Sequence, residues 1–108
     1  MPPFDTLLQI DSNLTDWLVN AAATTDEERA AMTRVLALRA DLDQKLNTLV
    51  AYRLQMAVAN LPEERADLDA AAATMRSVQK KIDSVQSVLS ALSIAIAVAA
   101  KFTSVVAV

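Results

Sequence analysis

The chain has 108 residues, of which 54% are apolar, and it contains no Gly, Cys or His. These absences exclude disulfide scaffolds, glycine loops that cradle phosphate, nearly all zinc sites, and catalysis by His or Cys. The net charge of -3 gives no basic surface for nucleic acid. We therefore expect one domain, residues 1–108, that is not an enzyme and that binds no metal or cofactor.

The first predicted element is a helix over about residues 4–22. The chain carries 21 Ala and 14 Leu, and its prolines stand only at positions 2, 3 and 62, so an all-α fold is expected. An apolar stripe with a spacing of three and four residues marks one face of this helix: Leu7, Ile10, Leu14, Trp17 and Ala21. Asp11, Ser12 and Asn13 are weaker helix formers, so a kink near Ser12 stays an open alternative.

A second helix is predicted over about residues 26–60. Thr25 and Glu28 have the spacing of a capping box, in which the Thr hydroxyl and the Glu carboxylate each accept from the other residue's backbone N–H. Apolar residues at helical spacing follow as far as Leu49. Pro62 then marks a boundary, because proline fits the first position of a helix better than its interior.

The third predicted helix spans about residues 62–107 and has the most regular pattern in the chain. Twelve positions alternate by three and four residues, and eleven of them are apolar, from Leu68 to Val106. Such a repeat over more than five heptads is typical of a coiled coil. No glycine or proline interrupts it, so a single continuous helix is expected.

The predicted architecture is a long antiparallel, coiled-coil-like helical hairpin of helices 2 and 3. Helix 1 packs at one end and gives a three-helix bundle there, because short connections make successive helices antiparallel neighbours. The residues predicted to form the core are Leu14, Trp17, Val35, Leu38, Leu42, Leu46, Met75, Val78, Ile82, Val85, Leu89, Leu92 and Ile96.

Two regions have more apolar surface than this hairpin would cover. Residues 46–61 are apolar on almost all sides, and a second stripe from Val88 to Val105 lies beside the heptad seam. A helix that is apolar all round must be buried all round, so both regions predict contact with another chain. The predicted interface residues are Leu49, Val50, Tyr52, Leu54, Met56, Val58, Leu61, Ile94, Val98, Phe102 and Val105.

The C-terminal segment, residues 88–108, allows an alternative partner. No charge occurs between Ser84 and Ala100, but Lys101 and several serines interrupt the apolar character. A constitutive membrane span of about 20 apolar residues is therefore not expected; the main expectation is burial against protein, and conditional insertion into lipid is the alternative. The N-terminus has no basic region followed by a long apolar one, so we expect no cleavable signal peptide and a cytoplasmic location.

Two functions compete on this evidence. The first is a structural or interaction protein that forms a homo-oligomer or binds a helical partner through apolar coiled-coil faces. The second is a membrane-active protein of the pore or lysis type, whose residues 88–108 enter lipid. The acidic residues at helix starts, such as Asp26–Glu28, are read as caps that complement the helix dipole.

Overall fold

The protein is all-α. The computed structural model describes residues 2–54 and 61–106, which contain four α-helices packed against one another and no strand. The helices are α1 (Pro3–Asn20), α2 (Asp26–Leu49), α3 (Pro62–Ser77) and α4 (Val85–Val106), and short 3-10 turns occupy Val50–Tyr52 and Ile82–Ser84.

Local sequence explains where three of these helices begin. Pro3 and Pro62 each lie in the first turn of a helix, where the missing N–H of proline leaves no hydrogen bond unmade. The predicted capping box of α2 is confirmed. The backbone N–H of Glu28 donates to Thr25 Oγ1 at 3.1 Å, and the N–H of Thr25 donates to Glu28 Oε1 at 3.1 Å.

The prediction of one continuous third helix is wrong. The helix that begins at Pro62 ends at Ser77. Val78 and Lys81 have extended backbones, and the next helix, α4, begins at Val85. An unbroken helix over 62–107 would be roughly 69 Å long, whereas the longest dimension of the molecule is 45 Å. The reversal folds α4 back along α3, and both apolar stripes of α4 thereby gain helical neighbours within the same chain.

Two other helix boundaries also differ from the prediction. α1 is a single helix through Ser12, and it ends at Asn20. After Leu49 the chain tightens into the 3-10 turn, and Arg53 and Leu54 are α-helical again. The rest of predicted helix 2, residues 55–60, lies outside the described residues.

Four packed helices replace the predicted hairpin of helices 2 and 3 with helix 1 at one end. α2 packs chiefly against α4, α4 also packs against α3, and α1 packs against α3 and less extensively against α2. α3 and α4 are antiparallel, because Glu64 near the start of α3 contacts Lys101 near the end of α4. α2 and α4 run in the same direction, since Thr48 and Thr103 line one surface depression and Glu28 and Val85 line another.

A continuous apolar core lies between the helices. α1 contributes Leu7, Ile10, Leu14 and Trp17, all without exposed surface. Burying side chains of this size stabilises the fold by about 1.5–3 kcal/mol each before the entropy of ordering is subtracted.

Candidate functional site

Three exposed apolar side chains share one end of the molecule. Val50 and Leu54 follow α2, and Val105 lies near the end of α4, which runs beside α2 in the same direction. Their exposed fractions are 52%, 79% and 47%. We call these three residues the apolar end patch. Such side chains carry no chemistry of their own, but together they offer surface that a partner can cover.

A shallow cavity of about 310 Å³ adjoins this patch. It is lined at the start of α1 by Pro2, Phe4 and Asp5. The segment after α2 contributes Arg53 and Leu54. The lining therefore combines apolar side chains with one acidic and one basic side chain. A large apolar side chain with a polar neighbour fits such a depression.

The predicted interface residues divide into four groups. Val50, Leu54, Ile94 and Val105 are exposed, and Tyr52 and Leu61 are half-buried. Leu49, Val98 and Phe102 lie in the core instead, because the fold-back of α4 lets this chain cover them itself. Met56 and Val58 lie outside the described residues.

The residues predicted for the core lie in or against it. Leu14, Trp17, Val35, Leu42, Leu46, Met75, Val85, Leu89 and Leu92 are buried, and Leu38, Val78, Ile82 and Ile96 are half-buried and packed against the buried cluster. Val88, Ala95, Val98 and Phe102 of the second stripe join the same cluster. The second stripe is thus internal as far as Phe102, and only its last residue, Val105, is exposed.

The outer face of α4 is formed mainly by small and polar residues. Ser87, Ser90, Ser93, Ala97 and Ser104 are exposed, whereas the long apolar side chains mostly point inward. Within the described residues, Ile82–Val105 is long and apolar enough to cross a membrane by length and composition, and a little under half of it is buried. The same test admits the core helix of a soluble protein.

Lys101 connects the ends of α3 and α4. Its ammonium nitrogen lies 2.9 Å from Glu64 Oε1. This hydrogen bond raises the pKa of Lys101 and lowers the pKa of Glu64. Both groups therefore remain charged at neutral pH. The ammonium group of Lys101 thus places a positive charge on the outer face of the most apolar helix.

A polar cluster that the sequence analysis did not single out joins α1 to α2. Arg39 Nη2 donates to Thr15 Oγ1 at 3.1 Å. Arg39 Nε lies 3.9 Å from a carboxylate oxygen of Asp11 and 3.9 Å from one of Asp43. The only sequence signal was the spacing of four residues between Asp11 and Thr15 and between Arg39 and Asp43, which puts each pair on one helix face.

Burial raises the pKa of the Asp11 carboxyl from 3.8 to about 6. The largest cause is desolvation, and a hydrogen bond with Asp43 and the negative charge of Asp43 act in the same direction, while Arg39 opposes them. Asp11 therefore changes its charge close to neutral pH.

The described part of the chain shows no cluster of metal-ligand side chains. No group of three or more Asp or Glu side chains there could hold a metal ion. A depression of about 420 Å³ between α3 and α4 is lined mostly by small side chains such as Ala70, Ala71 and Ser90. These residues supply no charged group that would orient a substrate.

Comparisons with known proteins add no family. No protein-family model matches the chain, and neither curated proteins nor solved structures give a match.

Proposed function

We propose that this chain is a non-enzymatic structural protein that associates with further copies of itself through the apolar end patch. The observation that carries the proposal is the exposure of Leu54, 79%, next to the half-exposed Val50. A helical protein of another kind with an apolar stripe is the second candidate partner. The predicted coiled-coil and oligomeric character of the chain belongs to this proposal.

The composition of the surface supports an interface at this end. Val50, Leu54 and Val105 lie together at one end, and Asp5 and Arg53 border the adjoining cavity. Interfaces commonly combine an apolar centre with a charged rim, and the rim sets orientation more than affinity. Three apolar side chains make a small interface, so we expect dissociation constants of roughly micromolar size.

Light scattering on Leu54→Asp tests the proposal. The wild-type chain should show a molar mass that is a defined multiple of 11.6 kDa, and mild detergent should leave it unchanged. Leu54→Asp should shift the mass to that of the monomer, because association would bury an unpaired carboxylate.

Val19→Asp is the matched control. Val19 is 78% exposed, like Leu54, but it lies near the end of α1 opposite to Pro2 and Phe4, which line the cavity beside Leu54. This variant should keep the wild-type mass. A monomeric wild-type chain, or equal masses for wild type and Leu54→Asp, would contradict self-association through this patch.

A membrane-active function is the alternative, and one observation favours it. Ile82–Val105 has the length and composition of a membrane-spanning helix. Insertion would require α4 to leave α2 and α3, and its buried face, including Val98 and Phe102, would then contact lipid. Lys101 opposes that movement, since a cation within the hydrocarbon costs about 2.5 kcal/mol or more.

Flotation with vesicles of neutral phosphatidylcholine tests the alternative without electrostatic attraction. Lys101→Leu should increase the fraction that floats, whereas Lys45→Leu, which removes a cation from α2, should not. Absence of wild-type and Lys101→Leu protein from the vesicle fraction between about pH 4 and about pH 8 would exclude conditional insertion.

A further inference from the structure

The contact between α1 and α2 includes an ion pair whose two facing atoms do not form a hydrogen bond. Asp11 Oδ1 and Arg39 Nε lie 3.9 Å apart, and both atoms are buried without a hydrogen-bond partner among the described residues. Buried polar groups in native proteins are nearly always hydrogen-bonded. An arrangement with two such atoms facing each other is therefore one that a small movement or a proton can improve.

The charges in this contact are unequal. Two carboxylates, Asp11 on α1 and Asp43 on α2, approach the single guanidinium of Arg39. When both carboxylates are ionised, one negative charge stays uncompensated in a partly buried place. A proton on Asp11 removes the repulsion and supplies a donor toward Asp43.

The charge balance at Asp11 is set by residues of α1 and α2. On α3, Arg76 Nη1 donates to Gln9, which lies two residues before Asp11 and on another face of α1. On α4, Lys101 pairs with Glu64, and on α2, Lys45 pairs with Asp41. The charges that act on the pKa of Asp11 are those of Asp43 and Arg39.

α1 has attachments that do not depend on α2. Trp17 Nε1 donates to the carbonyl oxygen of Lys81 at 3.1 Å, and α1 packs more extensively on α3 than on α2. α1 can therefore loosen from α2 while it remains on α3. Local openings of this kind occur where few apolar contacts hold two elements together.

We propose that the contact between α1 and α2 is a proton-controlled joint, in which Asp11 carries a proton and faces Asp43 beneath Arg39 in mildly acidic solution, whereas in neutral solution the ionised Asp11 is repelled by Asp43. α1 is then held to α2 most firmly below neutral pH. Loosening would expose further the side of α1 that carries Asp11 and Thr15, which now faces Arg39.

The raised pKa of Asp11 sets the direction and the pH range. Below an unfolded-state value of about 3.8 the carboxyl is protonated in every state, and the contribution to stability is complete. That contribution is lost as the pH rises through the folded value of about 6. The closed joint is therefore favoured by acid, which is opposite to the behaviour of a simple Asp–Arg pair.

Hydrogen exchange of the full-length chain tests this joint. Amide protection in α1 and in the facing part of α2, corrected for the intrinsic rate, should fall about tenfold between about pH 5 and about pH 7.5. Amides of α3 and α4 should change little. Asp11→Asn, which fixes a neutral side chain, should remove the pH dependence, whereas Asp16→Asn, an exposed acid on the same helix, should retain it.

A second measurement decides the case even if Asp11→Asn does not fold. In wild-type protein, the carboxyl carbon of Asp11 should titrate near pH 6 by NMR. Titration near the ordinary value of a free aspartate would overturn the proposal. Equal loss of protection in all four helices would also overturn it, because the proton would then control global stability and not this joint.

Discussion

At the scale of single residues, Trp17 joins the first helix to the chain reversal between α3 and α4. Its ring is fully buried, and its indole nitrogen donates to the backbone carbonyl of Lys81, 64 positions away in sequence. Buried tryptophans usually satisfy their N–H in this way. The reversal lacks glycine and proline, so this long-range hydrogen bond replaces the local turn signals that normally fix such a bend.

Trp17→Phe should therefore loosen the reversal more than the helices beside it. The change removes the donor and leaves a small cavity, and we expect a loss of roughly 2 kcal/mol in the free energy of unfolding. Urea denaturation followed by circular dichroism measures the loss. Hydrogen exchange should increase most at residues 78–84. Tyr52→Phe, an aromatic change at a half-buried position, is the control and should alter stability by less than about 0.5 kcal/mol. An unchanged exchange rate at the reversal would contradict the role given to the indole.

At the scale of elements, α4 shows why an apolar sequence pattern did not by itself identify an interface with another chain. Its heptad seam and its second stripe together surround much of the helix. If α4 packed against only one helix, the second stripe would stay uncovered. On that assumption the sequence predicted contact with another chain. In the structure α2 and α3 flank α4 on two sides, so residues such as Val98 and Phe102 are covered within one molecule.

Two aspartate substitutions on α4 separate the covered face from the exposed one. Val98 is 3% exposed, and Val98→Asp should destabilise the fold by about 3 kcal/mol or more, because a carboxylate is buried among apolar side chains. Val105→Asp should change the free energy of unfolding by no more than about 0.5 kcal/mol. Denaturant unfolding at a single low protein concentration compares the two. Equal stability of the two variants would mean that α4 does not have these two distinct faces.

The sequence predicted the helices and much of the core, but not the place where the third helix divides. Periodicity in α1 identified Leu14 and Trp17, and the Thr25–Glu28 spacing identified the start of α2, because both signals are local. The break after Ser77 depends on burial of α4 by α2 and on the Trp17–Lys81 hydrogen bond. Both are contacts between distant parts of the chain, and the heptad pattern that crosses the break gives no sign of them. The Asp11–Arg39–Asp43 cluster was missed for the same reason.

At the scale of the whole molecule, the four helices already bury the longest apolar stripes, and this changes what self-association has to achieve. A monomer with 22 buried apolar core residues among those described has a core of its own. Association through the apolar end patch would then add to an existing fold and would not be needed to create one. Such a chain differs from an obligate oligomer, whose folded state and assembled state are the same thing.

This difference predicts a specific dependence of thermal stability on concentration. If copies associate through Val50, Leu54 and Val105, the Tm of the wild-type chain should rise by a few degrees between about 10 μM and about 500 μM, because binding stabilises only the folded state. Leu54→Asp should have a Tm that does not depend on concentration and that equals the wild-type value at the lowest concentration. Val19→Asp should rise with concentration as the wild type does. Differential scanning calorimetry at matched concentrations measures all three. If Leu54→Asp at low concentration unfolds at a temperature well below that of the wild type, Leu54 stabilises the monomer itself. A wild-type Tm that does not change with concentration would contradict self-association through the apolar end patch.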